Sequence, residues 1–154
     1  LWLSREWTPD LADPAPLPGF VLTIGMNPSG AGGDHDDLTV RKDQVWTRRW
    51  GFCRLVKGNV GTYCATQPSD VPLDEAAAVH PNNEPILLGL ARRAALVVVS
   101  TGKPPPALVA PAERLFAAMR ERGITTHCFG RTADGWPKHS SRLAYATPLE
   151  VFGP

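Results

Sequence analysis

The run FVLTIGM at residues 20–26 is the stretch from which the fold follows, and it leads directly into Asn27 and Pro28. A short apolar run between turn-forming residues predicts a buried strand. Three further runs also predict strands: RLVKGN at residues 54–59, which is less purely apolar, LVVVST at 96–101 and ITTHCF at 124–129. Strands that are buried on both faces are typical of parallel sheets covered by helices.

Helical patterns alternate with the four predicted strands. They occupy residues 38–50, between the N-cap candidate Asp37 and Gly51; residues 83–94; and a segment that Pro111 opens and Gly123 ends, after a proline-rich connector at 102–111. Such alternation indicates an α/β fold. We therefore expect a single domain over residues 1–154, built as a three-layer α/β/α sandwich with a mainly parallel four-stranded central sheet.

The composition narrows the class of protein. The net charge of +1 excludes a strongly basic nucleic-acid tail, although not a local basic groove. Cysteines at positions 53, 64 and 128 lack the spacing of metal or iron–sulfur ligands, and an odd number argues against a disulfide framework. We expect a cytoplasmic protein with reduced thiols and with no metal or cofactor. The apolar runs are too short to cross a membrane, so no membrane partner is expected.

The loops that follow the predicted strands are the places to look for chemistry, because ligands of parallel sheets bind at the carboxyl ends of the strands. The first loop, IGMNPSGAGG at residues 24–33, combines Asn27 with glycines that allow a ligand to approach the backbone. Its spacing is not that of a P-loop. An asparagine–proline turn that needs no ligand is the alternative interpretation.

Two later loops carry the other candidate residues. Asn59 ends the second predicted strand, and its amide offers a donor and an acceptor to a nucleobase edge, unless it is only a turn residue. The loop GRTADGWPKHSSRL at residues 130–143 places His139 between Lys138 and Arg142, although a single histidine is often structural. We expect Asn27, Asn59 and His139 to converge on one pocket.

For two other clusters we favour a structural interpretation over a functional one. The segment Asp34-His35-Asp36-Asp37 has ligands for a divalent ion, but it also suits a solvated loop with a helix N-cap. The next predicted helix carries basic residues and two tryptophans that could contact nucleic acid, but a solvated face with two core tryptophans explains them as well; these residues are Arg41, Lys42, Arg48, Arg49, Trp46 and Trp50.

The sequence resembles the bacterial and phage family called domain of unknown function 1643. The shared motifs are Asn27-Pro28-Ser29; Arg48-Arg49-Trp50-Gly51; Asn59 followed by Ala65-Thr66 and Pro68; Asn83; and the pattern G-x-T-x-D-G-x-P-K-H-x-S-R-L-A-Y from Gly130 to Tyr145. The last motif is the most specific. Cys64 stands where this family often has an arginine, which implies that one anion contact is lost.

A fainter resemblance is to the uracil-DNA glycosylase superfamily, whose mismatch-specific members have G-I-N-P-G at a strand end. Here Gly25-Met26-Asn27-Pro28-Ser29 is similar, and His139-Ser140-Ser141 is similar to the late H-P-S motif, with Ser140 in place of the proline. The resemblance implies a glycosylase-like fold in which Asn27 positions the hydrolytic water, Asn59 reads the base and His139 stabilises the departing base. The expected catalytic residues are Asn27 and His139, and the expected binding residues are Gly25, Met26, Pro28, Ser29, Asn59, Lys138, Ser141 and Arg142.

Three functions remain open from the sequence. The first is an enzyme that hydrolyses an N-glycosidic bond to a base, with DNA or a nucleotide as partner. The second is a module that binds a nucleotide, a modified base or DNA without turnover, because the motifs show no certain carboxylate base. The third is an unrelated nucleotide-handling enzyme of phage or defence biology.

Overall fold

Six strands form one mixed sheet in the computed structural model, which describes residues 2–9, 15–28, 36–65 and 67–153. The strands are β1 (Trp2–Glu6), β2 (Val21–Gly25), β3 (Arg54–Asn59), β4 (Leu96–Val99), β5 (His127–Cys128) and β6 (Glu150–Val151). The helices are α1 (Leu38–Arg49), α2 (Glu75–Ala78), α3 (Asn83–Ala91) and α4 (Pro106–Glu121), with short 3-10 helices at Pro68–Asp70 and Ser140–Arg142. The predicted α/β class is confirmed.

The centre of the sheet is parallel and its two edges are antiparallel. In the spatial order β1-β3-β2-β4-β5-β6, β2 pairs in parallel with β3 and β4, and β4 pairs in parallel with β5. The edge strands β1 and β6 run antiparallel to β3 and β5. The prediction of a four-stranded, mainly parallel sheet is therefore wrong, because it missed both edges. Edge strands need no continuous apolar run, and both residues of β6 are exposed.

Side chains alternate between the two faces of the sheet, and each face has its own apolar core. Val21 packs with Trp46 of α1 on one face, while Leu22 and Ile24 join the residues of α3 and α4 on the other. The connection between β2 and β3 thus lies on the opposite face from the two later connections. Because of this arrangement, the loops after β2 and β4 diverge at the carboxyl edge of the sheet and leave a crevice between them.

The helix ends show which local signals were sufficient. Asp37 caps α1 as predicted, because its side chain accepts a hydrogen bond from Val40 N–H at 2.8 Å. The prediction that Pro111 opens a helix is wrong, since α4 begins at Pro106 and Pro111 is buried inside it. Pro106 occupies the first turn, where a missing N–H is not needed. Pro111 costs α4 one backbone hydrogen bond, and the buried side chain packs in the core in return.

Several of the predicted elements are shorter in the structure. α3 ends at Ala91 and not at residue 94, β4 ends at Val99, and β5 contains two residues of the six expected. Gly102 and Gly130 follow β4 and β5 with φ values of +66° and +94°, which side chains with a Cβ rarely adopt. The chain therefore turns away from the sheet early at both places, and the turns shape the crevice.

Candidate functional site

A cavity of about 1020 Å³ opens at the carboxyl edge of the parallel strands. Its walls come from the loops that follow β2, β3, β4 and β5, together with the first turn of α1. The structure brings Asn27, Asn59 and His139 together in this cavity, although they are far apart in the sequence. The position agrees with the rule that ligands of parallel sheets bind where the strand order reverses, which here is beside β2.

The other residues singled out from the sequence lie in the same place, with one omission. Those that line the cavity are Gly25, Met26, Pro28, Lys138, Ser141 and Arg142. Ser29 lies outside the described residues. The structure thus gathers the candidates, and their individual roles stay predictions.

Asn27 joins two of the loops and exposes only an acceptor. Its Nδ2 donates to the carbonyl oxygens of Pro28 at 3.1 Å and Ala65 at 2.7 Å, so both amide hydrogens are used. Pro28 O in turn accepts from Ala65 N–H at 3.0 Å. In the part of the chain that the structure describes, Asn27 Oδ1 has no partner. Its orientation is therefore fixed by the backbone, and Oδ1 remains available to a donor in the cavity.

The side chain of Asn59 occupies space that is open because residue 25 is a glycine. A Cβ placed on Gly25, its partner across β2 and β3, would be 2.7 Å from Asn59 Oδ1. The backbone at this strand end is held by buried Asn83, whose Nδ2 donates to the carbonyl oxygens of Asn59 at 2.9 Å and Val60 at 2.8 Å. No described residue hydrogen-bonds to the side-chain amide of Asn59, which keeps both its donor and its acceptor.

His139 presents a neutral N–H donor. Its Nδ1 accepts the Ser141 backbone N–H at 3.2 Å and lies 2.8 Å from Ser141 Oγ, so the ring proton belongs on Nε2. Burial lowers the pKa of His139, and the nearby positive charge of Lys57 lowers it further, against a smaller opposing effect of Asp43. The imidazole is therefore uncharged at neutral pH, with Nε2–H as a donor.

Backbone contacts fix the loop that carries His139. Gly102 N–H donates to Pro137 O at 2.8 Å, which joins the loop after β4 to the loop after β5. On the far side, Lys42 Nζ of α1 donates to Leu143 O at 2.7 Å. The short 3-10 helix that begins after His139 is thus held against α1. Ser140, the first residue of this 3-10 helix, is fully buried.

Sequence reasoning missed the ion pair at the inner end of the cavity, which we call the floor pair. Lys57 Nζ of β3 lies 2.6 Å from Asp43 Oδ2 of α1, and the two side chains are 8% and 2% exposed. Thr23 Oγ1 of β2 donates to the same oxygen at 3.1 Å. The sequence of α1 does carry a signal for this pair, because Asp43 lies between Val40 and Trp46 on the buried face of the helix. The strand register that brings Thr23 beside Lys57 is not visible in sequence.

Lys103, in the outer part of the cavity, forms a second lysine–aspartate contact with Asp134, which does not line the cavity, and we call this contact the rim pair. Lys103 Nζ lies 2.7 Å from Asp134 Oδ2, and these side chains are 71% and 54% exposed. Lys138 and Arg142 are also exposed there, and neither forms an ion pair within the described ranges. Trp2 of the missed strand β1 adds a half-exposed aromatic wall. The rim is therefore polar, basic and aromatic.

Described residues of the two clusters for which we favour a structural interpretation make structural contacts. Asp36 pairs with Arg5 at 2.7 Å and accepts from Gln44 at 2.6 Å. Burial raises the pKa of Asp36, but these hydrogen bonds outweigh it and hold the pKa below its ordinary value. Asp34 and His35 lie outside the described residues. Trp46 is 1% exposed and donates from Nε1 to Tyr145 O at 3.2 Å, so it belongs to the core as favoured.

The comparisons with known proteins give one match. The model of the family described as "Protein of unknown function (DUF1643)" matches residues 1–140, so the chain belongs to this family, as its motifs predict. No curated protein matches, and no solved structure matches. The resemblance to the uracil-DNA glycosylase superfamily stays a prediction. In the described ranges of the chain, no helix has the length and apolar character needed to cross a bilayer.

Proposed function

We propose that this member of the DUF1643 family hydrolyses the N-glycosidic bond between a base and its sugar, in DNA or in a nucleotide. The observation that carries the proposal is the convergence of three complementary groups on one cavity: the acceptor of Asn27, the donor and acceptor of Asn59, and the neutral donor of His139. The fainter resemblance of the motifs to the uracil-DNA glycosylase superfamily supports it.

His139 suits the leaving base. When the bond from the sugar to the base nitrogen breaks, both electrons go to the base and the sugar becomes oxocarbenium-like. A fixed N–H group aimed at the oxygen that gathers this negative charge stabilises the transition state more than the ground state. Nε2–H of His139 is such a donor, because Nδ1 is occupied by the Ser141 N–H.

Asn27 suits the water that attacks the sugar. Its Oδ1 can accept one hydrogen of a water molecule and direct the oxygen lone pair towards the sugar carbon. The amide cannot rotate freely, since Nδ2 is bonded to Pro28 O and Ala65 O. Holding the water in place lowers the entropy cost of its attack. Water addition then gives the free sugar hydroxyl, and the water proton goes to the base anion or to solvent.

The remaining surfaces suit the rest of the substrate. Asn59 can make paired hydrogen bonds with the edge of a base, as asparagine does elsewhere. Trp2 and Met26 supply aromatic and apolar walls for a base that has left its stack. The exposed cations Lys138 and Arg142 at the rim are placed to contact phosphate oxygens, which fix orientation but carry no base information.

A binding module without turnover is the second candidate, and one observation favours it. Asp37 is the single carboxylate among the described residues that line the cavity, and its Oδ1 already accepts the Val40 N–H as the cap of α1. No second carboxylate is therefore placed to act as a general base, and catalysis would depend on neutral groups. Tight binding without release of the base is the result expected of such a module.

Base release decides between the two candidates. Purified protein is incubated with oligonucleotides and nucleotides that carry uracil, mismatched bases or modified bases, and free base is quantified by chromatography. We expect release from at least one substrate, with abasic sites that cleave in alkali where DNA is used. Binding of a substrate without release would replace hydrolysis with the binding module. If the protein releases no base and binds no substrate, the proposed function is overturned.

A further inference from the structure

The floor pair of Lys57 and Asp43 is not explained by packing. Removing two charges from water costs several kcal/mol for each ion, and apolar side chains of similar size are often equally stable or more stable in such positions. Both side chains are nevertheless almost fully buried between β3 and α1. A buried ion pair at the inner end of a cavity therefore calls for a role beyond holding the helix on the sheet.

The lysine retains donors that the fold does not use. A lysine ammonium has three N–H groups, and Asp43 Oδ2, at 2.6 Å, takes one of them. The described part of the chain offers Lys57 no other hydrogen-bond partner, and Lys57 lines the cavity. Thr23 fixes the aspartate by donating to the same oxygen. The ammonium is thus held in place from behind, while two of its donors are left for the cavity.

Space in front of the ammonium comes from Gly25. A Cβ at this position would lie 3.3 Å from Lys57 Nζ and 2.7 Å from Asn59 Oδ1. Without it, one ligand group can approach the ammonium and the Asn59 amide together. Because Gly25 and Asn59 are register partners, and so are Thr23 and Lys57, these four positions form a polar patch on one face of the sheet at its carboxyl end.

We propose that Lys57 binds an anionic oxygen of the ligand at the floor of the cavity, beside Asn59 and within the field of His139. Asp43 acts as a positioning residue that holds the ammonium in place at 2.6 Å. If the proposed function holds, the anionic oxygen belongs to the departing base, and Lys57 supplies the full charge that neutral His139 lacks. A phosphate oxygen presents the same chemistry, so the test separates the two sources.

The role of His139 follows from the same arrangement. A positive charge at Lys57 makes a second charge on the neighbouring imidazole unfavourable, and this effect contributes to the lowered pKa of His139. The anion is then stabilised by one fixed charge and one neutral dipole. Because Lys57 supplies the positive charge, His139 can act as a neutral donor and does not need to be protonated before each reaction cycle.

The experiment compares the two lysine–aspartate pairs by titration calorimetry on the full chain. One probe is 5-fluorouracil, measured below and above the pH at which its ring N–H ionises, and the other is inorganic phosphate. The variants are Lys57→Met with Asp43→Asn, which removes the floor pair without leaving one charge unpaired, and Lys103→Met with Asp134→Asn, the matched change at the rim. Circular dichroism and thermal unfolding show whether each is folded.

We expect the floor double variant to bind the anionic probe about 10- to 100-fold more weakly, the effect of losing one charged hydrogen bond. The rim double variant should bind as the unchanged protein does. Preference for ionised 5-fluorouracil assigns the subsite to the base, and preference for phosphate assigns it to a phosphate group. Asp43→Asn alone keeps the ammonium but loses the carboxylate that positions it, so it should weaken binding of the probe less than the double variant does.

Several results would overturn the role of Lys57. They are binding of neither probe by the unchanged protein, equal loss of binding in the floor and rim variants, and weakening by Asp43→Asn as large as that of the double variant. Unchanged base release by the floor variant would also overturn it while leaving the proposed function intact. Conversely, anion binding that depends on Lys57 in a protein that releases no base would contradict only the proposed function.

Discussion

The floor pair and the rim pair are two lysine–aspartate contacts of nearly equal length in very different surroundings. The N–O distances are 2.6 Å for Lys57–Asp43 and 2.7 Å for Lys103–Asp134. The floor pair is almost fully buried, whereas both members of the rim pair are more than half exposed. Since water and salt screen an exposed pair and not a buried one, the distance alone says little about the energy.

The largest expected effect is therefore on stability at the floor. Lys57→Met leaves the Asp43 carboxylate buried without its cation, which typically costs about 3–5 kcal/mol. Lys103→Met should cost about 0–1 kcal/mol, because the pair it breaks is exposed. Denaturant unfolding of the two single variants measures the difference directly. Similar losses of unfolding free energy in both variants would show that solvent screens the floor pair as strongly as it screens the rim pair. The comparison between the two pairs would then fail.

The second effect is on rate. If the chain is an N-glycosidic hydrolase, His139→Ala should slow base release by about 10²–10³-fold, roughly 3–4 kcal/mol, with little change in substrate affinity. The donor acts mainly on charge that appears in the transition state. His80→Ala is the matched control, since His80 is exposed and its Nδ1 accepts the backbone N–H of Asn82, two residues along the chain. A change in KM alone for His139→Ala would make His139 a binding residue.

Asn27→Ala should also lower the rate more than the affinity, by a similar factor, because a misplaced water loses orientation and not binding. This variant breaks the bonds to Pro28 O and Ala65 O as well. Asn27→Asp separates the two roles, since it keeps an acceptor oxygen but loses the two N–H donors. Stability measured beside the rate shows which role dominates. Full activity in a folded Asn27→Ala variant would contradict any function for Asn27 in holding water.

The third effect is on base choice at the floor. Gly25→Ala would place a Cβ 2.7 Å from Asn59 Oδ1, and the amide must move out of its gap. We expect discrimination between bases to weaken by about 1–3 kcal/mol, as for Asn59→Ala, because the paired contact with the base edge is lost. Gly89→Ala in α3 is the control, since a Cβ placed there would meet no described atom within 4 Å apart from those of its own chain neighbours and the nearby backbone of its helix. Unchanged discrimination in Gly25→Ala would remove Asn59 from base recognition.

The difference between floor and rim also marks what the sequence could reveal. Runs such as 20–26 and 54–59 predict the central strands, and the residues that end them predict the edge where the loops meet, because both signals are local. The rule for parallel sheets then brings Asn27, Asn59 and His139 together. The floor pair depends on the register of β2 against β3 and on how α1 packs across them, and neither is a local property.

Two further failures have local physical causes. β1 and β6 lie at sheet edges, where partial exposure replaces the apolar run that identifies a buried strand. In α4 the rule that proline opens helices selected Pro111, while Pro106 one and a half turns earlier occupies that position. Tertiary burial of Pro111 overrides its poor fit to a helix interior. The consequence for the site is that Trp2 was not anticipated as a cavity wall.

The smallest expected effect is the pH dependence that His139 gives to folding. Its pKa in the folded protein lies below the ordinary value of about 6.5, mainly because of burial and then because of Lys57. As the pH falls through 6.5, the unfolded chain therefore takes up a proton at this residue before the folded chain does. Stability rises with pH wherever the unfolded state binds more protons, so this contribution lowers stability progressively from about pH 6.5 down to the folded pKa. Below that pKa both states are protonated, and the penalty stays constant. His139→Gln should remove this part of the pH dependence of unfolding in denaturant. Replacing the floor pair with Lys57→Met and Asp43→Asn should reduce it slightly, because Lys57 opposes protonation of His139 more than Asp43 favours it, whereas Lys103→Met at the rim should leave it unchanged. If His139→Gln reduces the slope between pH 5 and 7 but the floor variant keeps the slope of the unchanged protein, Lys57 does not act on His139, and the electrostatic distinction between floor and rim does not extend to the site.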